Sequence, residues 1–108
     1  MTETRLSEQE IAQLISRRPQ LPAEYVSYLI TYGWGDTPNG KMIYSGPLAP
    51  EDIYGVSVGP PDLLVLGDDL AGYCFAYDPN SGEYGELDPS GRWVPWQQGM
   101  GFGAYVAA

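Results

Sequence analysis

"LLVLGDDLAGYCFAYDPNSGEYGELD", residues 63–88, holds three β-prone runs separated by two turn signals, and its reading decides the fold. Tyr73, Cys74, Phe75, Ala76 and Tyr77 are apolar on both faces, with large rings on one side and small residues on the other. This predicts a central strand over 72–77, whose small-residue face suits a helix packing close. A strand at 63–66 precedes it. The run 84–87 should return antiparallel through "DPNSG", because Asp78, Pro79, Asn80 and Gly82 are turn formers. Asp68 and Asp69 fall between the first two runs, where their carboxylates can bond the backbone of a turn.

Further strands are expected at 42–45 and 92–96. Pro95 cannot donate to a ladder, so the last of them belongs at an edge or is bulged. Before residue 34 the period is helical. Ser7 and Glu10 form a capping box, and Leu6 with Ile11 occupy hydrophobic-staple positions. Ile11, Leu14 and Ile15 then give a helix over about residues 8–17 one apolar stripe, and Pro19 ends it. A second helix lies in "LPAEYVSYLITYG", with Pro22 in its first turn and Gly33 just past its end. Val26, Leu29 and Ile30 are its expected buried face, flanked by a stripe of Tyr25, Tyr28 and Tyr32 with hydrated hydroxyls. Glu51 and Asp52, between Pro50 and Gly55, suit a single helical turn. Helices followed by strands predict an α+β domain: two N-terminal helices packed on an antiparallel β-sheet meander. One domain over 1–108 is expected, with no linker, repeat or low-complexity tract.

Hydrophobic residues make up 44% of the 108 and charged residues 18%, enough apolar content for a core. Fourteen acidic against 5 basic residues leave a formal charge of −9. Such a field repels nucleic acid and anionic membranes and attracts basic partners. The basic residues are scattered from Arg5 to Arg92, whereas a phosphate backbone needs them clustered. No leader peptide is evident, and no apolar stretch approaches the roughly 20 residues that span a bilayer. A single Cys74 inside an apolar run reads as a buried, reduced thiol and places the chain in the cytoplasm.

Histidine is absent, which removes the commonest general base and the commonest zinc ligand. Adjacent residues of an extended chain point to opposite sides, so Asp68 and Asp69 converge as a catalytic pair only if the chain turns there. No partner group for acid–base work is evident, and no enzyme activity is expected. "DPNSGEYGELDP" begins like a calcium loop at Asp78 and Asn80. Glu83 stands where that loop requires glycine, and Pro89 where it requires a bidentate glutamate, so a hairpin turn is the reading. "GMGFG" (99–103) lacks the strand, helix and lysine of a phosphate cradle. No cofactor is expected.

Taken singly, each acid reads as a turn former or a solvated side chain. Together, Asp36, Glu51, Asp52, Asp62, Asp68, Asp69, Asp78, Glu83, Glu86 and Asp88 face only Lys41 and Arg92 after residue 34. That excess is more than turns require, and its self-repulsion costs stability.

Three stretches in order, "LPAEYVSYLITYGWGD", "MIYSGPLAPEDIYG" and "LLVLGDDLAGYCFAYDPNSGEYGELD", resemble the SUKH superfamily, which includes fungal cell-wall-assembly regulators and bacterial immunity proteins. The likeness covers roughly residues 20 to 96. Its fold, α+β with an antiparallel sheet, agrees with the reading above. The family usually closes with a distinct C-terminal helix; "GMGFGAYVAA" limits any such helix here to about 102–107.

The resemblance implies binding: such immunity proteins block a cognate toxin, often a nuclease. A nuclease holds its substrate in a basic cleft, which an acidic protein can occupy, and complementary fields speed the encounter. The expected contact residues are Asp36, Glu51, Asp52, Asp68, Asp69, Glu83 and Glu86, with Trp34 and Tyr54 as exposed aromatic anchors among them. Trp93 and Trp96 are expected in the core. A small-molecule or glycan-binding module is the alternative, resting on 13% aromatic residues and 3 tryptophans. A regulatory protein-interaction scaffold is the third reading.

Overall fold

Ser7 and Glu10 close the first helix reciprocally: the Ser7 N–H donates to Glu10 Oε1 at 2.8 Å, and the Glu10 N–H to Ser7 Oγ at 3.1 Å. The structure, a computed structural model, describes residues 7–17, 20–38, 40–96 and 102–107. The Leu6 staple position and the Pro19 stop lie outside these. The first helix, α1 (Glu8–Arg17), buries Ile11 and half-buries Leu14, whereas Ile15 is exposed. The second, α2 (Ala23–Thr31), buries Tyr25 and Leu29 completely and leaves Ile30 exposed.

The buried line of α2 thus runs through Tyr25 and Leu29, four residues apart on one side of the helix. Ile30 does not belong to it, and Tyr25 is core, not a flanking residue. A tyrosine can take that place because its hydroxyl donates to the Tyr44 carbonyl at 2.6 Å, leaving no polar atom stranded. Gly33, at φ 83°, ends the helix with its N–H on the Leu29 carbonyl at 3.1 Å.

Six strands follow: β1 (Gly35–Asp36), β2 (Met42–Leu48), β3 (Leu64–Asp68), β4 (Cys74–Asp78), β5 (Glu83–Leu87) and β6 (Trp93–Pro95). They form one sheet in chain order with every pair antiparallel, the meander expected of an α+β chain. Pro95 sits on the edge strand β6, where its missing N–H breaks no inner ladder. The two-residue β1 was not expected, and β2 and β3 run on to Leu48 and Asp68. Between Val65 and Gly67 the register slips against β4, a bulge that β3 accommodates at Gly67. A Cβ on Gly67 would collide with the Met42 carbonyl oxygen of the neighbouring strand.

The sheet is covered on both faces. On the first, Ile43, Leu64, Leu66 and Phe75 pack with Ile11, Tyr25 and Leu29, and with Phe102 and Tyr105 of the short C-terminal helix α4 (Phe102–Ala107). Phe75 and Tyr105 stack with centroids 4.1 Å apart. The helices therefore lie on the large-ring face of β4, contrary to the expectation from its small residues. That small face, Cys74 and Ala76 with Leu63, Val65 and Leu87, is covered by Tyr44, Tyr54, Val58 and Trp93. Large side chains from strands, a loop and the single-turn α3 (Glu51–Tyr54) fill the space above the small ones, so no long helix is needed there. Trp93 and Trp96, expected in the core, are half-buried and flank it, one against each cluster.

Candidate functional site

Three hairpin turns stand side by side at one end of the sheet, joining β1 to β2, β3 to β4 and β5 to β6. Each spans five residues: Thr37–Lys41, Asp69–Tyr73 and Asp88–Arg92. In each, the first residue's N–H donates to the carbonyl of the fifth, at 2.8 Å for Thr37 and 3.0 Å for both Asp69 and Asp88. The fifth N–H returns to the first side chain: Thr37 Oγ1 at 3.0 Å, Asp69 Oδ1 at 3.1 Å and Asp88 Oδ1 at 2.9 Å. The fourth residue is glycine at positive φ, 78° at Gly40, 101° at Gly72 and 88° at Gly91. Alternate turns of an antiparallel sheet stand two strand spacings apart, about 10 Å. This repeated turn was not anticipated, yet its Asp/Thr-x-x-Gly spacing is plain in the sequence.

The middle turn carries the aspartate pair. Asp68 accepts the Leu70 N–H on Oδ1 at 2.9 Å and the Tyr44 hydroxyl on Oδ2 at 2.7 Å. Asp69 Oδ1 takes the N–H groups of Ala71, at 2.8 Å, and Tyr73. The two carboxylates thus organise the turn between them and form no acid–base pair. The Tyr44 hydroxyl is held well above its usual titration range, first by burial and then by its bond to the anionic Asp68.

Beside this turn, on the small-residue face, a depression of about 410 Å³ is lined by Tyr44, Asp68, Leu70 and Cys74 together with Ile53, Tyr54 and Pro89. Tyr54 is not the exposed anchor expected. It is half-buried, and its hydroxyl donates to the Asp88 carbonyl at 2.9 Å while lying 3.7 Å from Cys74 Sγ, tying α3 to the sheet. Burial pushes the Cys74 thiol up from its ordinary pKa, so a neutral, weakly nucleophilic thiol is part of the lining.

Five of the expected contact residues belong to the segments around this depression. Tyr54, Asp68 and Asp69 are joined by Glu51 and Asp52, which open α3. Glu51 accepts the Ser57 hydroxyl at 3.1 Å and Asp52 the Ala49 N–H at 3.0 Å, and both remain exposed. Asp88, adjoining Pro89, adds an acid that was counted in the charge but not named as a contact. Its carboxyl is held below the ordinary range by hydrogen bonds from the Ser90 hydroxyl and the Arg92 and Ser90 amides.

The other four lie elsewhere. Trp34, expected as an exposed anchor, is half-buried against the helical core cluster. Asp36 is exposed at the end of β1, Glu83 pairs with Asp78 at the opposite end of the sheet, and Glu86 sits across from Phe75, accepting the Trp96 indole N–H at 3.4 Å. Most of the acids after residue 34 therefore have a local acceptor role, more than the sequence suggested. Accepting a hydrogen bond fixes a carboxylate in place without removing its charge.

Among the described residues no three His, Cys, Asp or Glu side chains converge to hold a metal, and no helix is long and apolar enough to cross a membrane. No family model, curated protein or solved structure matches the chain.

Proposed function

We propose that the chain is an immunity protein of SUKH type, acting in the cytoplasm by binding a basic toxin domain through the acid-rimmed face that carries α3 and the β3–β4 turn. The carrying observation is that Asp68 lines an apolar depression whose lining residues Ile53, Leu70 and Pro89 directly follow Asp52, Asp69 and Asp88 in the chain, each of these four acids accepting a hydrogen bond that holds it in place. Fixed charges need little reordering when a cationic surface arrives, which favours rapid encounter and lowers the entropic cost of docking. Lys41 lies across the Tyr105 ring, its Nζ 5.2 Å from the centroid.

The glycan-binding alternative drew on aromatic content. Phe75, Phe102, Tyr105, Tyr25 and Tyr84 pack on one another inside the protein, so these rings offer no open stacking platform. Affinity capture from the source cell, with this protein as bait at low and high salt, tests the proposal. One stoichiometric basic protein, retained better at low salt, supports it; capture of only neutral or acidic proteins, or of carbohydrate, overturns it.

A further inference from the structure

Leu70 has φ 62° and is 62% exposed. Left-handed backbone is costly for a leucine, because its Cβ crowds the carbonyl that follows. The two sister turns hold proline in the same place, Pro38 and Pro89, whose rings fix φ near −65°. Both sisters keep the first-to-fifth backbone bond and the side-chain return bond. The turn pattern therefore needs no left-handed residue at its second position. At position 70 a strained backbone instead holds a large apolar side chain in solvent, in the lining of the depression that also includes the exposed Ile53.

We infer that the depression between Leu70 and Ile53 receives an apolar side chain of the partner, carried on a segment with Lys or Arg on both sides. This rests on the proposed binding of a basic partner and says where and how it docks. Charge complementarity identifies the occupant. Asp68 is part of the wall itself. Asp69 and Asp88 adjoin wall residues Leu70 and Pro89, and Glu51 and Asp52 precede Ile53. Arg92 is the one basic residue in these wall-forming turns and α3. An apolar centre with a charged rim is the usual division between a buried anchor and its surround. Cys74 and Tyr54 give the lining only weakly polar atoms, because the Tyr54 hydroxyl is already engaged with the Asp88 carbonyl.

The test uses two synthetic peptides, Lys-Arg-Lys-Leu-Lys-Arg-Lys and its Leu-to-Ser counterpart, titrated into isotopically labelled protein at low salt. Amide shifts of Leu70, Gly72 and Cys74 are the readout. The leucine peptide should perturb these amides and bind about tenfold tighter than the serine peptide, as expected for burying much of one leucine side chain. Leu70→Gly removes the apolar side chain of the lining that would contact the peptide's leucine and relieves the backbone strain, so the protein should stay folded while the leucine preference disappears. Asp68→Asn keeps an acceptor for the Leu70 N–H and should weaken both peptides alike. Equal binding of the two peptides, or a leucine preference that survives Leu70→Gly, overturns the docking site and leaves the basic-partner reading standing. Failure of both peptides to bind the wild-type protein overturns both.

Discussion

Asp69 and Asp88 occupy equivalent places in two hairpins of the sheet. Each donates its N–H to the carbonyl four residues on and gathers two backbone N–H groups on Oδ1, Asp69 from Ala71 and Tyr73, and Asp88 from Ser90 and Arg92. Removing either carboxylate leaves two donors to water. Asp69→Ala should lower stability by about 1 kcal/mol, since exposed donors find a substitute in solvent, and Asp88→Ala should lower it in the same direction. Asp69→Asn retains the accepting oxygen and should lose less than half as much. Urea midpoints of the three variants check this order, and an asparagine variant as unstable as the alanine one contradicts it.

The depressed carboxyl pKa of Asp88 ties its hairpin to pH. A group with a folded-state pKa below its unfolded one contributes stability that is present above the unfolded value and lost as pH falls through the folded one. The ordinary value is 3.8, so the β5–β6 turn should stay ordered down to that pH and loosen only below it. Amide exchange at Ser90 and Arg92, followed from neutral to acid pH, measures this. Loss of protection well above the ordinary value contradicts it.

At the alkaline end the sign reverses. Burial raises the hydroxyl pKa of Tyr25, Tyr44, Tyr54, Tyr84 and Tyr105 above the ordinary 10.0. The unfolded chain then gives up protons that the folded one keeps, so stability is complete below the unfolded pKa and falls as pH rises past it. Melting temperature should decline above pH 10.0, with tyrosinate absorbance from these rings rising together with unfolding. A full tyrosinate signal from a protein that remains folded contradicts the burial described.

Gly67→Ala probes the bulge that sets β3 against its neighbours. Its Cβ would meet backbone at the Met42 carbonyl, which cannot rotate away as a side chain could. The variant should lose about 1–3 kcal/mol or more, whereas Gly103→Ala, with nothing within 4 Å of its added Cβ, should be near neutral. Thermal melts of the two variants give the comparison.

What the sequence discloses and what it hides divide along the range of the interaction. The Ser7–Glu10 box, the turn at Asp78–Gly82, the single turn of α3 and the edge position of Pro95 depend on neighbours in the chain, and all were readable. Tyr25 was misplaced because its burial depends on a carbonyl 19 residues away, on Tyr44. Ile15 and Ile30 sit at helical spacing, but the sheet meets each helix along a narrower line than spacing alone defines. Trp34 and Tyr54 were taken as anchors for their size; what each packs against is set by the fold. For the site, acids were visible as a surplus, whereas their gathering around a depression required the topology. Leu70 drew no notice because a positive φ leaves no trace in residue type.

The central claim is that the acid-rimmed face meets a cationic partner, and the association rate of the captured basic protein tests it most directly. The rate should be measured for the wild-type protein and for Asp68→Asn with Asp69→Asn, which removes two charges and keeps one acceptor oxygen at each position for the backbone N–H groups of the turn. Long-range steering predicts a fall of tenfold or more in the wild-type rate between about 20 mM and 500 mM salt. The double variant should start slower and depend less on salt. A wild-type rate indifferent to salt, or a double variant indistinguishable from wild type, would contradict the account.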